Sequence, residues 1–409
     1  MTAAGAIVSP RAARHPADRR LAALAWTSAL LAAAALIAAT GYTSRDPDST
    51  VYAGIAARLS AQPPGTWIAP QWWGHWGFEG PFREHPAGIL VIPAMLARAG
   101  YPAPQAAYAV NAAFQVLSLV LIGALAAAVL PGREARALTW MLQLVLIAFV
   151  FRIRANQEYA VLAGLLLALY ATERSRARPA WAWVTAVGFA GVLLVKGIFG
   201  LMVPALCAVW LLTREIGGPD RRFAGQARTW LALAATLAVL PLVTVAYEVL
   251  YQRATGQSFL AFYTGPRLDA GAVAADLWLR WPIHAVWYVG RLIWYAMPWS
   301  PFALGVGWLW LRGRMRPDAR DAGALLFALG ASALVVAAFA AADRRADRFI
   351  FPAYFAAGAA GAVAAVRWSP RLSRLVDRLD RPWVPAAFWV ALFLLRLLSG
   401  THLPRLAIR

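Results

Sequence analysis

The sequence has 409 residues, of which 61% are hydrophobic and only 14% are charged. Its mean hydropathy is +0.57. A soluble domain is typically about 45–50% apolar and about 25% charged, so a soluble globular protein of this composition could not keep its apolar surface out of water. The same numbers exclude a disordered or fibrous chain. The composition therefore predicts a helical membrane protein with several spans.

The chain carries 39 basic and 19 acidic residues, which gives a net charge of +20. Its arginines cluster in short segments between apolar stretches, as expected where loops meet anionic lipid headgroups. No zinc-ligand spacing or RNA-binding motif accompanies them, so membrane lipids are expected as partners and nucleic acid is not. The single cysteine, Cys207, lies in an apolar stretch and is predicted to be a packing residue.

The apolar stretches divide the chain into three parts. Residues 1–20 form a basic cytoplasmic arm, residues 21–400 form a transmembrane domain, and residues 401–409 form a short tail. The first apolar run is long enough to span a bilayer and too long for a typical signal peptide, so it is interpreted as an uncleaved helix. The eleven candidate spans lie at roughly 21–41, 106–130, 137–151, 158–172, 180–198, 200–213, 229–250, 286–311, 321–342, 349–366 and 382–399.

The charge pattern predicts how these spans are oriented. With the N-terminus inside, the short basic loops all fall on the cytoplasmic side, as the positive-inside rule requires. The first extracytoplasmic loop is then 41–105, in which the stretch 86–99 is predicted to be an interfacial helix. The outer segments mix arginines with carboxylates, and this face is where we expect chemistry. Its carboxylates are Asp46, Asp48, Glu79, Glu84, Glu158, Asp269, Asp276, Asp343 and Asp347.

Two sites in the first loop carry candidate functional groups. Asp48 and Tyr52 are four residues apart, so a helix starting near Asp48 would present both on one face. Asp48 or Ser49 could instead serve only to cap that helix. Glu84 and His85 follow a run of tryptophans, which is typical of an interfacial belt, although stacked aromatic rings also suit sugar faces.

Lys196 is the only lysine in a chain whose other basic residues are arginines. An ammonium group binds phosphate as a compact point charge, but a lysine at a helix end can also simply extend towards the headgroups. Glu158 stands at the mouth of an apolar stretch, where a carboxylate can equally sit in headgroup water. Cations suit a phosphate or diphosphate, and carboxylates suit activation of a hydroxyl. The residues alone therefore favour transfer chemistry on a lipid-linked phosphate.

Six short motifs occur in an order that resembles the GT-C glycosyltransferases that use polyprenyl-phosphate-linked sugars. The branch with the greatest likeness contains the protein O-mannosyltransferases and the lipid A aminoarabinose transferases. The motifs are Asp48 followed by Tyr52-Ala53, Glu84-His85-Pro86, Glu158, Val195-Lys196-Gly197, Pro298-Trp299-Ser300, and Arg348-Phe349-Ile350-Phe351-Pro352. The sequence departs from the family at Val51, where an arginine is common, at His85, which replaces a lysine, and at Phe349, which replaces a tyrosine.

The resemblance implies an all-α polytopic membrane protein. Its fold would be a GT-C-like bundle of about 11 transmembrane helices, with interfacial helices in the first extracytoplasmic loop. It further implies a multi-pass enzyme of the inner (plasma) membrane with an extracytoplasmic active site. Such an enzyme would move a hexose or pentose, with inversion, from a polyprenyl-phosphate-linked donor to a lipid, glycan or protein acceptor.

The resemblance also implies roles for individual residues. Asp48 and Glu158 would be catalytic, with Asp48 as the general base. The remaining assignments are donor-phosphate binding for Lys196, His85, Arg267 and Arg348, substrate binding for Tyr52, Glu84 and Trp299, and ligation of a divalent metal ion for Glu84 and His284. No other cofactor is implied.

Two other classes of function remain open at the level of the sequence. A transporter or flippase of polyprenyl-linked or other anionic lipids should tolerate Asp48→Asn, although transporters usually carry their charges near the midplane rather than at one rim. A non-catalytic scaffold should tolerate substitution of Asp48, Glu84 and Lys196 together. The glycosyltransferase hypothesis requires Asp48, Glu84, Glu158 and Lys196 to converge at a cavity that opens away from the cytosol.

Overall fold

The computed structural model describes residues 46–72, 79–130, 132–152, 154–217, 223–268, 270–314, 319–342, 345–379 and 387. The predicted basic arm, the first span at 21–41, the tail and, apart from residue 387, the last span at 382–399 lie outside the described residues.

Throughout these ranges the chain is helical and forms no sheet, which confirms the predicted all-α class. The helices are α1 (Pro47–Ser60), α2 (Gly88–Arg98), α3 (Ala103–Val129), α4 (Gly132–Met141), α5 (Leu146–Arg152), α6 (Glu158–Ser175), α7 (Ala182–Lys196), α8 (Met202–Gly217), α9 (Phe223–Thr236), α10 (Val239–Thr255), α11 (Phe259–Leu268), α12 (Ala270–Tyr295), α13 (Ser300–Leu311), α14 (Ala319–Ala340), α15 (Phe351–Trp368) and α16 (Pro370–Leu379). Short 3₁₀ turns lie at Pro64–Thr66, Leu142–Leu144, Pro179–Trp181, Gly197–Leu201 and Asp347–Ile350.

Large apolar side chains cover much of the outer surface of the bundle. Leu231, Leu242, Leu279 and Val286 are each between 70% and 74% exposed, which would be unfavourable in water and is favourable in lipid. Within the described ranges, five helical segments are long and apolar enough to cross a membrane: Ala103–Val129, Pro179–Arg214, Ala227–Thr255, Ala322–Ala340 and Asp347–Trp368. The protein is an integral membrane protein.

Most predicted spans correspond to one helix, but three do not. The stretch 137–151 is divided between α4, a 3₁₀ turn and α5, and the stretch 229–250 is interrupted between α9 and α10. The stretch 286–311 contains the end of α12, a turn with a cis Met297–Pro298 bond, and α13. The predicted number of eleven transmembrane helices is therefore not confirmed.

Two of these interruptions lie against each other. The N–H of Leu146, which follows the break between α4 and α5, donates to the carbonyl oxygen of Met297 at 3.0 Å. The indole N–H of Trp299 donates to the carbonyl oxygen of Met141 at 2.6 Å. At a break in an intramembrane helix, backbone N–H and carbonyl groups lose their partners within the helix, and water cannot reach them. Each of these two breaks supplies a hydrogen-bond partner to the other.

Helices α6, α7 and α8 run back and forth across the bundle. Glu158 at the start of α6 pairs with Lys196 at the end of α7, so these two helices are antiparallel. Glu173 near the end of α6 pairs with Arg214 near the end of α8, so α8 returns in the direction of α6. The chain reverses at Gly197, whose φ of +60° is a backbone conformation that favours glycine.

Two glycines allow α6 and α7 to approach closely. A β-carbon on Gly188 would lie 2.6 Å from the carbonyl oxygen of Gly164 and 3.1 Å from the β-carbon of Ala168. Small residues at a helix crossing bring backbones together, and this packing is the main source of helix association in lipid. The contact aligns the two helices that carry Glu158 and Lys196.

Replacing Gly188 by alanine should therefore push α6 and α7 apart. We expect Gly188→Ala to destabilise the protein by about 1–3 kcal/mol, the usual cost of overpacking, and to lower its thermal unfolding temperature in nanodiscs. Gly191→Ala is the matched control, because a β-carbon there meets nothing within 4 Å. Equal unfolding temperatures for the two variants would contradict this assignment of the crossing.

Candidate active site

A buried ion pair joins the ends of α6 and α7. The ammonium group of Lys196 lies 3.0 Å from Oε1 of Glu158. The two side chains are only 10% and 1% exposed, respectively. Charges are costly at this depth unless they are paired, and paired charges in membrane proteins usually mark a functional site.

A second ion pair joins α1 to the 3₁₀ turn that precedes α15. Asp48, in the first turn of α1, pairs with Arg348, and both side chains are partly exposed. The contact connects residues 300 positions apart in the sequence. Because part of each side chain remains accessible, this pair is open to exchange with a ligand, and it is more accessible than the pair between Glu158 and Lys196.

Asp46, rather than Asp48 or Ser49, caps α1. One carboxylate oxygen of Asp46 accepts hydrogen bonds from the N–H and the hydroxyl of Ser49, at 3.0 Å and 2.7 Å. Its other oxygen pairs with Arg154 at 3.2 Å. Asp46 therefore supplies the N-cap, and the carboxylate of Asp48 is available to pair with Arg348.

Tyr52, on α1 in the first loop, contacts the start of α6. Its buried hydroxyl accepts a hydrogen bond from Nε2 of Gln157 at 3.3 Å. Burial raises the pKa of Tyr52 well above its ordinary value, and the negative charges of Glu158, Glu84 and Asp46 raise it further. The hydroxyl therefore keeps its proton and remains a hydrogen-bond donor at every working pH.

His85 is buried and contacts two aromatic rings. Its ring centroid lies 5.4 Å from that of Tyr52 and 4.8 Å from that of Phe82. Nδ1 lies 3.0 Å from the carbonyl oxygen of Pro86, which can only accept, so Nδ1 carries a proton. The neighbouring side chain of Glu84 is exposed.

The structure thus brings together most of the predicted site residues. Asp48, Tyr52, His85, Glu158, Lys196 and Arg348 form one group at one end of the bundle, and the charge of Glu84 is close enough to act on Tyr52. We refer to this group, with Glu84, as the rim cluster. The opposite end of the same helices carries the contacts of Glu173 with Arg176 and Arg214.

Three predicted site residues are not placed in the rim cluster. Trp299 is buried in the core with its indole bound to the carbonyl oxygen of Met141, so its position is that of a packing residue rather than a substrate-binding one. His284 is buried in the middle of α12. The side chain of Arg267 lies outside the described residues. In the described part of the chain, no three His, Cys, Asp or Glu residues are grouped as a metal site would require.

Sequence reasoning missed two residues at the start of α6. Asn156 and Gln157 are buried and, like Glu158, have polar side-chain atoms without a partner among the described residues. Consecutive unsatisfied polar groups are rare in native proteins and point to bound water or a polar ligand. A cavity of about 10 Å³ between Tyr52 and Asn156 has the size of one water molecule. The signal in the sequence was the polar run at 156–158, immediately ahead of an apolar span.

A larger cavity lies within the bundle, away from these polar groups. Its volume is about 130 Å³, and it is lined almost entirely by apolar side chains of α3, α6, α8, α14 and α15. Arg214 is the charged residue among its lining. A sugar or phosphate would lose its hydrogen bonds to water here without replacement, so the rim cluster is the better candidate for polar chemistry.

Comparison with solved structures shows that this chain shares the fold of ArnT, a membrane protein of known structure. The protein is similar to ArnT from Cupriavidus metallidurans bound to undecaprenyl phosphate, with 18% identity over 92% of this chain and 68% of that chain and a TM-score of 0.62. The apo state of the same ArnT gives 18% identity, 91% and 69% coverage, and a TM-score of 0.62. An apo oligosaccharyltransferase from Archaeoglobus fulgidus is less similar, with 14% identity, 93% and 55% coverage, and a TM-score of 0.49.

No family model matches the sequence, and the search of curated proteins finds no match. At 18% identity, the likeness to ArnT establishes the fold. The roles of individual residues depend on the geometry described above.

The pair between Glu158 and Lys196 can be tested through stability. Lys196→Met should leave a buried carboxylate without its counterion and destabilise the protein by about 3 kcal/mol. A second substitution, Glu158→Leu, should restore most of that loss, because two apolar side chains replace two charges. Thermal unfolding in nanodiscs measures both effects. If the double variant is no more stable than Lys196→Met, the two residues do not form this pair.

Proposed function

We propose that the protein is an integral-membrane glycosyltransferase of the inner membrane. It moves a sugar from a polyprenyl-phosphate-linked donor to an envelope lipid, glycan or protein acceptor on the extracytoplasmic face. The observation that carries the proposal is the convergence of the Asp48–Arg348 and Glu158–Lys196 pairs around Tyr52. The shared fold supports it, since ArnT has been crystallised with undecaprenyl phosphate.

The cations of the rim cluster suit the phosphate of such a donor. Lys196 and Arg348 each have a carboxylate as their present partner, and a phosphate offers more charge and more acceptor oxygens than a carboxylate. Donor binding would therefore draw Arg348 away from Asp48. His85 and Arg267 are further candidates for contact with the same phosphate, and Tyr52 and Glu84 for contact with the sugar or the acceptor.

Released from Arg348, Asp48 acts as the general base. It accepts the proton of the acceptor hydroxyl or amine, whose oxygen or nitrogen forms a bond to the anomeric carbon of the sugar. The bond from that carbon to the phosphate oxygen breaks, and its electron pair leaves with polyprenyl phosphate. Lys196 stabilises the charge that develops on the leaving group. A single displacement of this kind inverts the anomeric centre of the hexose or pentose.

The arginine distribution supports an outward-facing site. The end of the bundle opposite the rim cluster carries Arg176 and Arg214, and α15 leads there into the arginine-rich α16. Loops rich in arginine stay on the cytoplasmic side of a membrane. The rim cluster would accordingly face away from the cytosol.

The proposal predicts release of polyprenyl phosphate in vesicles supplied with a polyprenyl-phosphate sugar and an envelope extract. Asp48→Asn should lower the rate by about 100-fold or more, the usual contribution of a general base, without lowering the unfolding temperature. Asp377→Asn, which changes an exposed carboxylate on α16, should leave the rate unchanged. Mass spectrometry of released lipid phosphate and modified acceptor measures the reaction.

Other outcomes of the same assay contradict the proposal. If the Asp48→Asn variant transfers sugar at the normal rate, Asp48 is not the general base and the proposed mechanism is wrong. Movement of the labelled lipid across the bilayer without sugar release would indicate a flippase instead.

A chelator added to the assay tests the candidate metal ligands Glu84 and His284. Comparison of envelope glycolipids and glycoproteins with and without the gene then identifies the sugar and the acceptor.

A further inference from the structure

The hydroxyl of Tyr263 lies at the turn where α7 ends. It accepts a hydrogen bond from the N–H of Ile198 at 3.1 Å and donates one to the carbonyl oxygen of Lys196 at 3.3 Å. Gly197, between them, has φ +60° and ψ −128°, a conformation that essentially only glycine adopts. A β-carbon on residue 197 would overlap the tyrosine hydroxyl, which occupies the space that the glycine leaves.

This contact fixes the backbone from which the Lys196 side chain extends. A lysine side chain has four rotatable bonds, so its ammonium group is placed well only if its α-carbon and its contacts are held. The ammonium group is held at the far end by Glu158 and lies 5.0 Å from the ring centroid of Phe199. Tyr263 is the side chain that holds the near end.

Tyr263 belongs to a group of buried aromatic residues that we call the aromatic frame: Tyr247 and Tyr251 of α10, and Phe259 and Tyr263 of α11. Its rings are in contact, and the ring of Tyr263 stacks on that of Phe259 at 5.2 Å. The frame also holds the first loop, because the hydroxyl of Tyr247 donates to the carbonyl oxygen of Ile68 at 2.9 Å. The same hydroxyl accepts from the N–H of Ala87 at 3.0 Å, two residues after His85.

We propose that Tyr263 is a positioning residue for Lys196, and that the aromatic frame sets the geometry of the donor-phosphate site. The frame fixes the turn after Lys196 and the loop after His85, and Arg267 follows Tyr263 by four residues on α11. One group of side chains thus holds the backbone next to two predicted phosphate-binding residues, Lys196 and His85. The link to phosphate rests on the proposed function, whereas the hold on Lys196 does not.

A spectroscopic experiment tests the hold on Lys196 without any substrate. Because Lys196 is the only lysine, ¹⁵N-lysine labelling gives one side-chain ammonium signal for the whole chain. Tyr263→Phe removes the hydroxyl and keeps the ring, and we expect it to shift or broaden that signal. Tyr247→Phe removes a hydroxyl of the same frame that does not contact the turn, and we expect the signal to stay as in the unsubstituted protein. An unchanged signal in Tyr263→Phe would overturn the proposal.

A binding experiment tests the consequence for the donor site. We expect Tyr263→Phe to weaken the affinity for undecaprenyl phosphate about 5-fold to 10-fold, the effect of about one hydrogen bond. In a Lys196→Ala background the same substitution should change the affinity less than 2-fold, because Tyr263 acts through the lysine. For Tyr247→Phe, any effect should be the same in both backgrounds. Equal effects of Tyr263→Phe in both backgrounds would contradict its action through Lys196.

The two experiments separate the inference from the proposed function. If the unsubstituted protein does not bind undecaprenyl phosphate, the proposed function fails, while the ammonium signal still decides whether Tyr263 positions Lys196. If binding occurs but Tyr263→Phe lowers only the unfolding temperature, the tyrosine is structural and the positioning role is wrong.

Discussion

The buried pair between Glu158 and Lys196 is the interaction on which the rest of the site depends. Neither charge could remain at that depth alone, so the ends of α6 and α7 must stay within hydrogen-bond distance. The glycine crossing at Gly188 and the turn at Gly197 both serve this requirement, since they bring the helices together and then end α7 at the lysine. A phosphate would bind to Lys196, a cation that Glu158 already stabilises in its buried position.

The two ion pairs of the rim cluster differ in a way that matters for chemistry. Glu158 and Lys196 are buried and rigidly placed, whereas Asp48 and Arg348 are partly exposed and belong to α1 and a short 3₁₀ turn. An incoming anion can reach Arg348 more easily than Lys196. This difference suits a site in which one pair keeps its geometry while the other exchanges partners. Because Asp46 caps α1, the carboxylate of Asp48 is available for that exchange.

The sequence predicted the convergence of the charged residues better than the division of the chain into helices. Lys196 and Glu158 stood out because each is a rare charge beside an apolar run, and burial then required partners. The cap at Asp46 could also have been predicted from the sequence, because a proline at 47 favours the first helical position and makes the preceding residue the cap. The break after Leu144 could not be predicted, since it depends on a tertiary contact with Met297 rather than on a local glycine or proline.

Tyr263 illustrates a second limit of sequence reasoning. Its proposed role depends on a hydroxyl that is hydrogen-bonded to a turn 67 residues earlier in the chain, and no nearby residue in the sequence indicates that contact. Gly197 gave the only local sign, because a glycine directly after the lysine indicates an unusual turn. The turn at Gly197 packs against the aromatic frame, so the position of the charge on Lys196 depends on side chains that carry no charge themselves. A lysine on a flexible stem can serve as a precise phosphate ligand when its neighbours remove that flexibility.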